Sequence, residues 1–100
     1  MSVYFLAHID LTDEGEYRKY LDRVNEVFRR FKGTYLAVDE QPQVIEGEPA
    51  EGRIVLIRFD SRKDFEDWYY SDAYQEILKH RLKGSVSKSW LVEGLADEGI

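Results

Sequence analysis

The chain has 100 residues, of which 43% are hydrophobic and 34% charged, a balance that suits one soluble domain over residues 1–100 and leaves no room for a second. A net charge of −6 opposes unspecific attraction to nucleic acid or anionic membrane. Cysteine is absent, which excludes disulfides, zinc ribbons and thiol catalysis; no stretch approaches the roughly 20 apolar residues of a membrane span, no signal-peptide pattern opens the chain, and a cytoplasmic location is the default.

Val3 to Leu11 alternates, with Val3, Phe5, Ala7, Ile9 and Leu11 on one side and Tyr4, Leu6, His8 and Asp10 on the other, the pattern of a strand with two different faces. Asp13 then caps a helix and Glu16 is placed to reach back as the second half of a capping box. Tyr17, Tyr20, Leu21, Val24, Val27, Phe28 and Phe31 follow helical spacing, and Arg29, Arg30 and Lys32 fall at the negative end before Gly33. Thr34 to Asp39 is rich in β-forming residues and is followed by a broken extension from Gln43 to Gly47 around Pro42. Glu48 to Gly52 is a turn.

Arg53 to Asp60 holds the most continuous strand pattern, with Val55, Ile57 and Phe59 opposing Ile54, Leu56, Arg58 and Asp60. Ser61 repeats the cap logic for a helix beginning near Phe65, Trp68 and Tyr69, which Ser71-Asp72 interrupts or recaps before Tyr74, Ile77, Leu78 and Leu82. Gly84 ends this helix, Val86 to Leu95 is a last strand, and Ala96 to Ile100 is an acidic tail expected to be exposed or exchanged with a partner.

The order β-α-β-β-α-β fits the α+β ferredoxin-like plan, an antiparallel sheet with helices on one face, and the first and third strands are expected side by side and parallel. An offset of fifty positions superimposes Asp10 on Asp60, Glu14 on Asp64 and Tyr20 on Tyr70, a weak duplication that makes His8 and Arg58 equivalent. The sheet face away from the helices carries Tyr4, Leu6, Ile54, Leu56 and either Leu36 or Tyr35, and two such faces packed together as a homodimer would cover them.

His8, Asp10, Arg58 and Asp60 share that face near the ends of two neighbouring strands. An imidazole beside a carboxylate suits general acid–base work, and an arginine fork suits a carboxylate or enolate; the same groups also serve as strand ends, helix-start partners or a buried ion-pair network in a non-catalytic module. As metal ligands His8 and Asp10 fall short, because His80 lies on a helix and the shell would need Glu46 or a partner residue. Only His8 and His80 could ligate haem iron and neither lies in a ligand motif, so no metal or cofactor is expected. Nucleophile elbows, phosphate loops and dinucleotide fingerprints are absent. Trp68, Tyr69, Tyr70 and Tyr74 crowd one helical segment, serving packing first and a flat ligand second, and the Arg29-Arg30-Phe31-Lys32 run answers the helix dipole rather than nucleic acid.

Ala7-His8-Ile9-Asp10, Glu46-Gly47, Val55-Leu56-Ile57-Arg58-Phe59, Trp68-Tyr69-x-Ser71-x-x-Tyr74, Arg81 and Leu91-Val92-Glu93-Gly94 together resemble the domain of unknown function 1330 family over nearly the whole chain. That resemblance implies a dimeric α+β barrel with a pocket between the sheet and its surroundings, and marks Glu46, Trp68, Ser71, Tyr74 and Arg81 as pocket or framework residues. Ser71 also fits an N-cap, and Arg81 bound to Glu46 would tie helix to sheet. Phe59-Asp60-Ser61 stands where the family usually has Phe-Pro-Ser, and Lys32-Gly33 where it has Gly-Gly. The expectation is a dimer that binds or transforms a small, partly apolar organic anion without a cofactor, with His8 moving a proton and Arg58 and Arg81 clamping charge. A non-catalytic dimeric module is the alternative.

Overall fold

In the computed structural model, which describes residues 1–49 and 51–95, the alternating first segment is strand β1 (Val3–Leu11), its odd positions buried from Val3 to Ile9. Helix α1 (Glu14–Phe28) follows, with the Asp13 carboxylate accepting from the Glu16 backbone N–H at 3.1 Å. The capping box is only half made, because the Glu16 side chain turns instead to His80 and Lys19. The helix stops at Phe28, one turn before Phe31, and its last turn holds no basic residue; Arg30 reaches Glu26 at 2.9 Å rather than serving the helix end.

Strand β2 (Gly33–Asp39) and strand β3 (Arg53–Phe59) are joined by a segment that forms no further strand, so the expected extension from Gln43 to Gly47 is absent. At the start of β3, Gly52 has φ +98° and lies against the Ile9 carbonyl and Asp10 Cα, where any side chain would collide. Helix α2 (Arg62–Tyr69) is capped by Ser61, and helix α3 (Asp72–Gly84) by Ser71, as their sequences predict. Strand β4 (Ser85–Glu93) begins directly after Gly84. The Gly84 carbonyl accepts from the Thr12 and Asp13 N–H groups at 2.9 and 3.0 Å, and a Cβ there would sit 2.7 Å from the Tyr17 nitrogen. The acidic tail falls outside the described residues.

The sheet order is β2-β3-β1-β4 and every pairing is antiparallel. This is the ferredoxin-like topology, but it corrects the expectation that β1 and β3 run parallel. They are neighbours in opposite directions because β3 lies between β1 and β2 and pairs antiparallel with both, which sets β1 and β2 parallel to each other across the α1 crossover. Equivalent residues therefore lie at opposite ends: His8 faces Ile54, whereas Arg58 faces Tyr4.

The helices cover one sheet face and bury Phe5, Ala7, Ile57, Phe59, Val27, Tyr74 and Ile77 against it. The other face presents an apolar row across all four strands, from Leu36 and Ala37 through Leu56 and Leu6 to Trp90. A bulge between Tyr35 and Ala37 changes the parity of β2, leaving Tyr35 on the helix side, where its ring lies 4.4 Å from that of Phe28. Leu36, Trp90 and Val92 are each about half exposed.

Between α1 and α3, His80 Nδ1 meets Glu16 Oε2 at 2.5 Å, and this bond, ahead of the bond to Lys19, holds the Glu16 carboxyl below its ordinary value of 4.5. A depressed carboxyl contributes stability that is complete above its unfolded value and is lost as pH falls through the folded one. Thermal melts of the parent and of Glu16→Gln are accordingly expected to differ near neutral pH and to converge as pH falls below 4.5; a constant difference down to full protonation would contradict the pairing.

Candidate functional site

The residues expected to form a catalytic group do not converge within the chain. His8 and Asp10 occupy one end of the outer sheet face, and the register sets Arg58 four residues further along, about 13 Å away. His8 Nε2 bonds to the Glu51 carbonyl. Arg58 donates to Ser2 Oγ at 2.9 Å and pairs with Asp60 at 2.8 Å, with side chains 40% and 71% exposed. Within the single chain this pair is solvated. Among the described residues, no three His, Asp or Glu side chains gather in a metal-binding group.

The concave feature lies on the opposite face, beneath the helices. A cavity of about 500 Å³ opens between α1 and the sheet. Phe5, Ala7 and Ile9 of β1 and Val55 and Ile57 of β3 form its floor, because these are the inward positions of the strand alternation. Tyr17, Tyr20, Leu21 and Val24 of α1 form the facing wall, Tyr35 and Val38 of β2 close one side, and Trp68 and Arg81 close another. Arg53, at the first position of β3, completes the lining.

Arg81 is placed by helical spacing: Tyr74, Ile77, Leu78 and Arg81 share the inward stripe of α3, and Arg81 is only 2% exposed. Its Nη1 donates to the Tyr74 hydroxyl at 3.3 Å, and its guanidinium carbon lies 5.9 Å from the Tyr20 ring centre. Among the described residues it pairs with no carboxylate, and its Nε has no hydrogen-bond partner; Trp68 Nε1 is equally unpartnered. The neighbouring phenols supply no negative charge. Burial, first among the causes, raises the Tyr74 hydroxyl to about 12 and the Tyr20 hydroxyl well above its ordinary value, and it also raises Tyr17 and Tyr35. Tyr20 and Tyr74 bond to each other at 2.8 Å.

Arg53 is treated differently. Its Nη1 donates to the Tyr17 hydroxyl at 3.2 Å, its guanidinium stands 5.8 Å from the Tyr17 ring centre, and its Nε lies 3.5 Å from the exposed Glu40 carboxylate, an ion pair without a hydrogen bond. The cavity thus carries two cations, one matched by a carboxylate and one not.

Of the residues marked by family resemblance, Trp68 and Arg81 line the cavity and Tyr74 supports it through Arg81 and Tyr20. Ser71 is the N-cap of α3: its hydroxyl accepts from the Tyr74 N–H at 3.1 Å and donates to the Trp68 carbonyl at 2.8 Å. Glu46 stands exposed beside Gly47, whose φ is +87°, and forms no ion pair with Arg81. Arg53, Tyr17, Tyr20 and Tyr35 emerge from the structure as additional cavity residues. Arg53 carried a signal in the sequence, since it shares parity with Val55, Ile57 and Phe59, and a charge on a strand's apolar side is the informative exception to burial rules.

The family described as "Domain of unknown function (DUF1330)" matches residues 2–95. No curated protein matches the sequence. Among solved structures, a protein of unknown function from Rhodopseudomonas palustris superimposes with a TM-score of 0.76 at 19% identity, covering 95% of this chain and 83% of that one. A dimeric ferredoxin-like protein of unknown function from Jannaschia sp. CCS1 gives 0.77 at 9% identity, covering 94% and 100%. A cofactor-independent oxygenase from Streptomyces nogalater gives 0.66 at 12% identity, covering 95% and 94%. At these identities the likeness is one of fold, and a fold hosts many unrelated chemistries.

Proposed function

We propose that this chain, which belongs to the DUF1330 family, binds a small, partly apolar organic anion in the cavity between α1 and the sheet. The observation that carries the proposal is Arg81: a guanidinium 2% exposed, lining an aromatic cavity, with no carboxylate partner among the described residues. Burying an unmatched charge is costly, and an anionic ligand removes that cost by supplying the missing acceptor. Phe5, Tyr20 and Trp68 offer apolar surface to the rest of the molecule. His8, Asp10 and Arg58 take no part in this site.

The anion reading is tested by calorimetric titration with benzoate and with benzyl alcohol, which has similar size and no charge. Benzoate is expected to bind at least about tenfold more tightly, a difference of roughly 1.4 kcal/mol. Equal affinities, or no benzoate binding at all, would overturn the reading.

The assembly proposed for the protein is a homodimer formed by the outer sheet faces, which places His8, Asp10 and Arg58 at the interface. The apolar row from Leu36 to Trp90 supports it, as does the dimeric ferredoxin-like structure from Jannaschia. Leu6→Asp sets a carboxylate in the centre of that row and is expected to yield a monomer in sedimentation equilibrium. A dimer retained at micromolar concentration would place the interface elsewhere.

A further inference from the structure

Resting on the reading of the cavity as an anion site, we infer that Glu40 restricts it to ligands carrying a single negative charge. Two guanidiniums line the cavity, Arg53 and Arg81. Glu40 Oε1 lies 3.5 Å from Arg53 Nε, and the remaining groups against Arg53 are the hydroxyl and ring of Tyr17 and the nearby Tyr35. Both phenols are pushed toward their neutral forms by burial, so among the described residues Glu40 is the one carboxylate that forms an ion pair with this arginine. The charge of Arg53 is answered before any ligand enters. That of Arg81 is not.

A singly charged ligand therefore balances the site by meeting Arg81. A second carboxylate on the same ligand finds Arg53 already engaged and must either expel Glu40 or lie beside it, and like charges at such separation disfavour the complex. Glu40 makes no contribution to the cavity lining, and its side chain is 70% exposed. It acts by occupying Arg53, and its exposure has two consequences. Solvent screening holds the selectivity to a modest factor, and replacement leaves the core untouched.

The test compares benzoate with terephthalate, its dicarboxylate relative, on the parent protein, on Glu40→Gln and on Glu48→Gln, a second exposed carboxylate of the same connecting segment. In Glu40→Gln, terephthalate is expected to gain about three- to fivefold in affinity and benzoate less than about twofold, with Glu48→Gln leaving their ratio unchanged. The inference is overturned if the terephthalate-to-benzoate ratio is the same in the parent and Glu40→Gln, or if Glu48→Gln shifts it equally, which would make the effect one of overall charge. Failure of the parent to bind benzoate is a different result: it overturns the anion site itself, and the role of Glu40 with it.

Discussion

Replacing Arg81 with methionine is expected to weaken benzoate binding at least about tenfold while leaving the fold as stable as the parent or more so. Arg81 is 2% exposed and, among the described residues, its guanidinium has one hydrogen-bond partner, the neutral Tyr74 hydroxyl, and no carboxylate partner, so it carries the desolvation cost of a cation there. Methionine keeps the length of the side chain, adapts to the space and brings no charge. Exchanging buried ionic groups for apolar ones of similar volume stabilises proteins by about 1–4 kcal/mol in favourable cases, and here no partner carboxylate is orphaned by the change. Tyr74 keeps its bond to Tyr20. A gain of about 1–3 kcal/mol in chemical denaturation, together with at least a tenfold loss of benzoate affinity, is the expected pair of results. Stability bought by losing a binding residue is the signature of a site retained for function. Destabilisation by 3 kcal/mol or more, about the cost of breaking a matched buried pair, would show that Arg81 is satisfied by the fold.

Trp68→Ala is expected to remove a large share of the folding free energy. The indole lies 4.2 Å, centre to centre, from the Tyr74 ring, stacks on Phe59 at 5.5 Å and meets Phe5 and Phe28 edge-on at 5.6 and 5.7 Å. It joins α2 to the sheet, to α1 and to α3 through one side chain. Truncating a buried tryptophan costs about 3–5 kcal/mol, against a total of about 5–15 kcal/mol for a typical domain. Trp68→Phe discriminates packing from hydrogen bonding. Because Nε1 has no partner among the described residues, losing it forfeits no bond, and phenylalanine should cost far less than alanine in urea denaturation. A large loss in both variants would mean that the indole N–H is engaged in the folded protein.

Local features were readable from the sequence because they depend on near neighbours. The alternation of β1 and the caps at Asp13, Ser61 and Ser71 each rest on a few adjacent residues, and all appear where expected. Strand direction does not. The offset of fifty pairs Asp10 with Asp60, but whether two such strands run together or head to tail is a property of the whole chain path, and a parallel arrangement would gather His8 and Arg58 into a cluster that the antiparallel register separates. The site was half legible. Trp68, Tyr74 and Arg81 are marked by family resemblance, whereas Tyr17 and Tyr20 fit the apolar spacing of α1 so well that the pattern carries no sign of a role for their hydroxyls. Arg53 stands at the edge of an otherwise apolar strand, where parity is the one sign that it faces inward. The bulge that turns Tyr35 toward the cavity and Leu36 away from it has no marker in the sequence.

Cocrystallisation with 4-bromobenzoate tests the central claim most directly, because the anomalous signal of bromine fixes the ligand's position and orientation independently of the protein density. The account predicts one bromine site per chain inside the cavity between α1 and the sheet, with the ring against Trp68 and Tyr20 and the carboxylate within hydrogen-bonding distance of Arg81. Bromine found only on the outer sheet face, or in the cavity with the carboxylate turned away from Arg81 toward solvent, would contradict it.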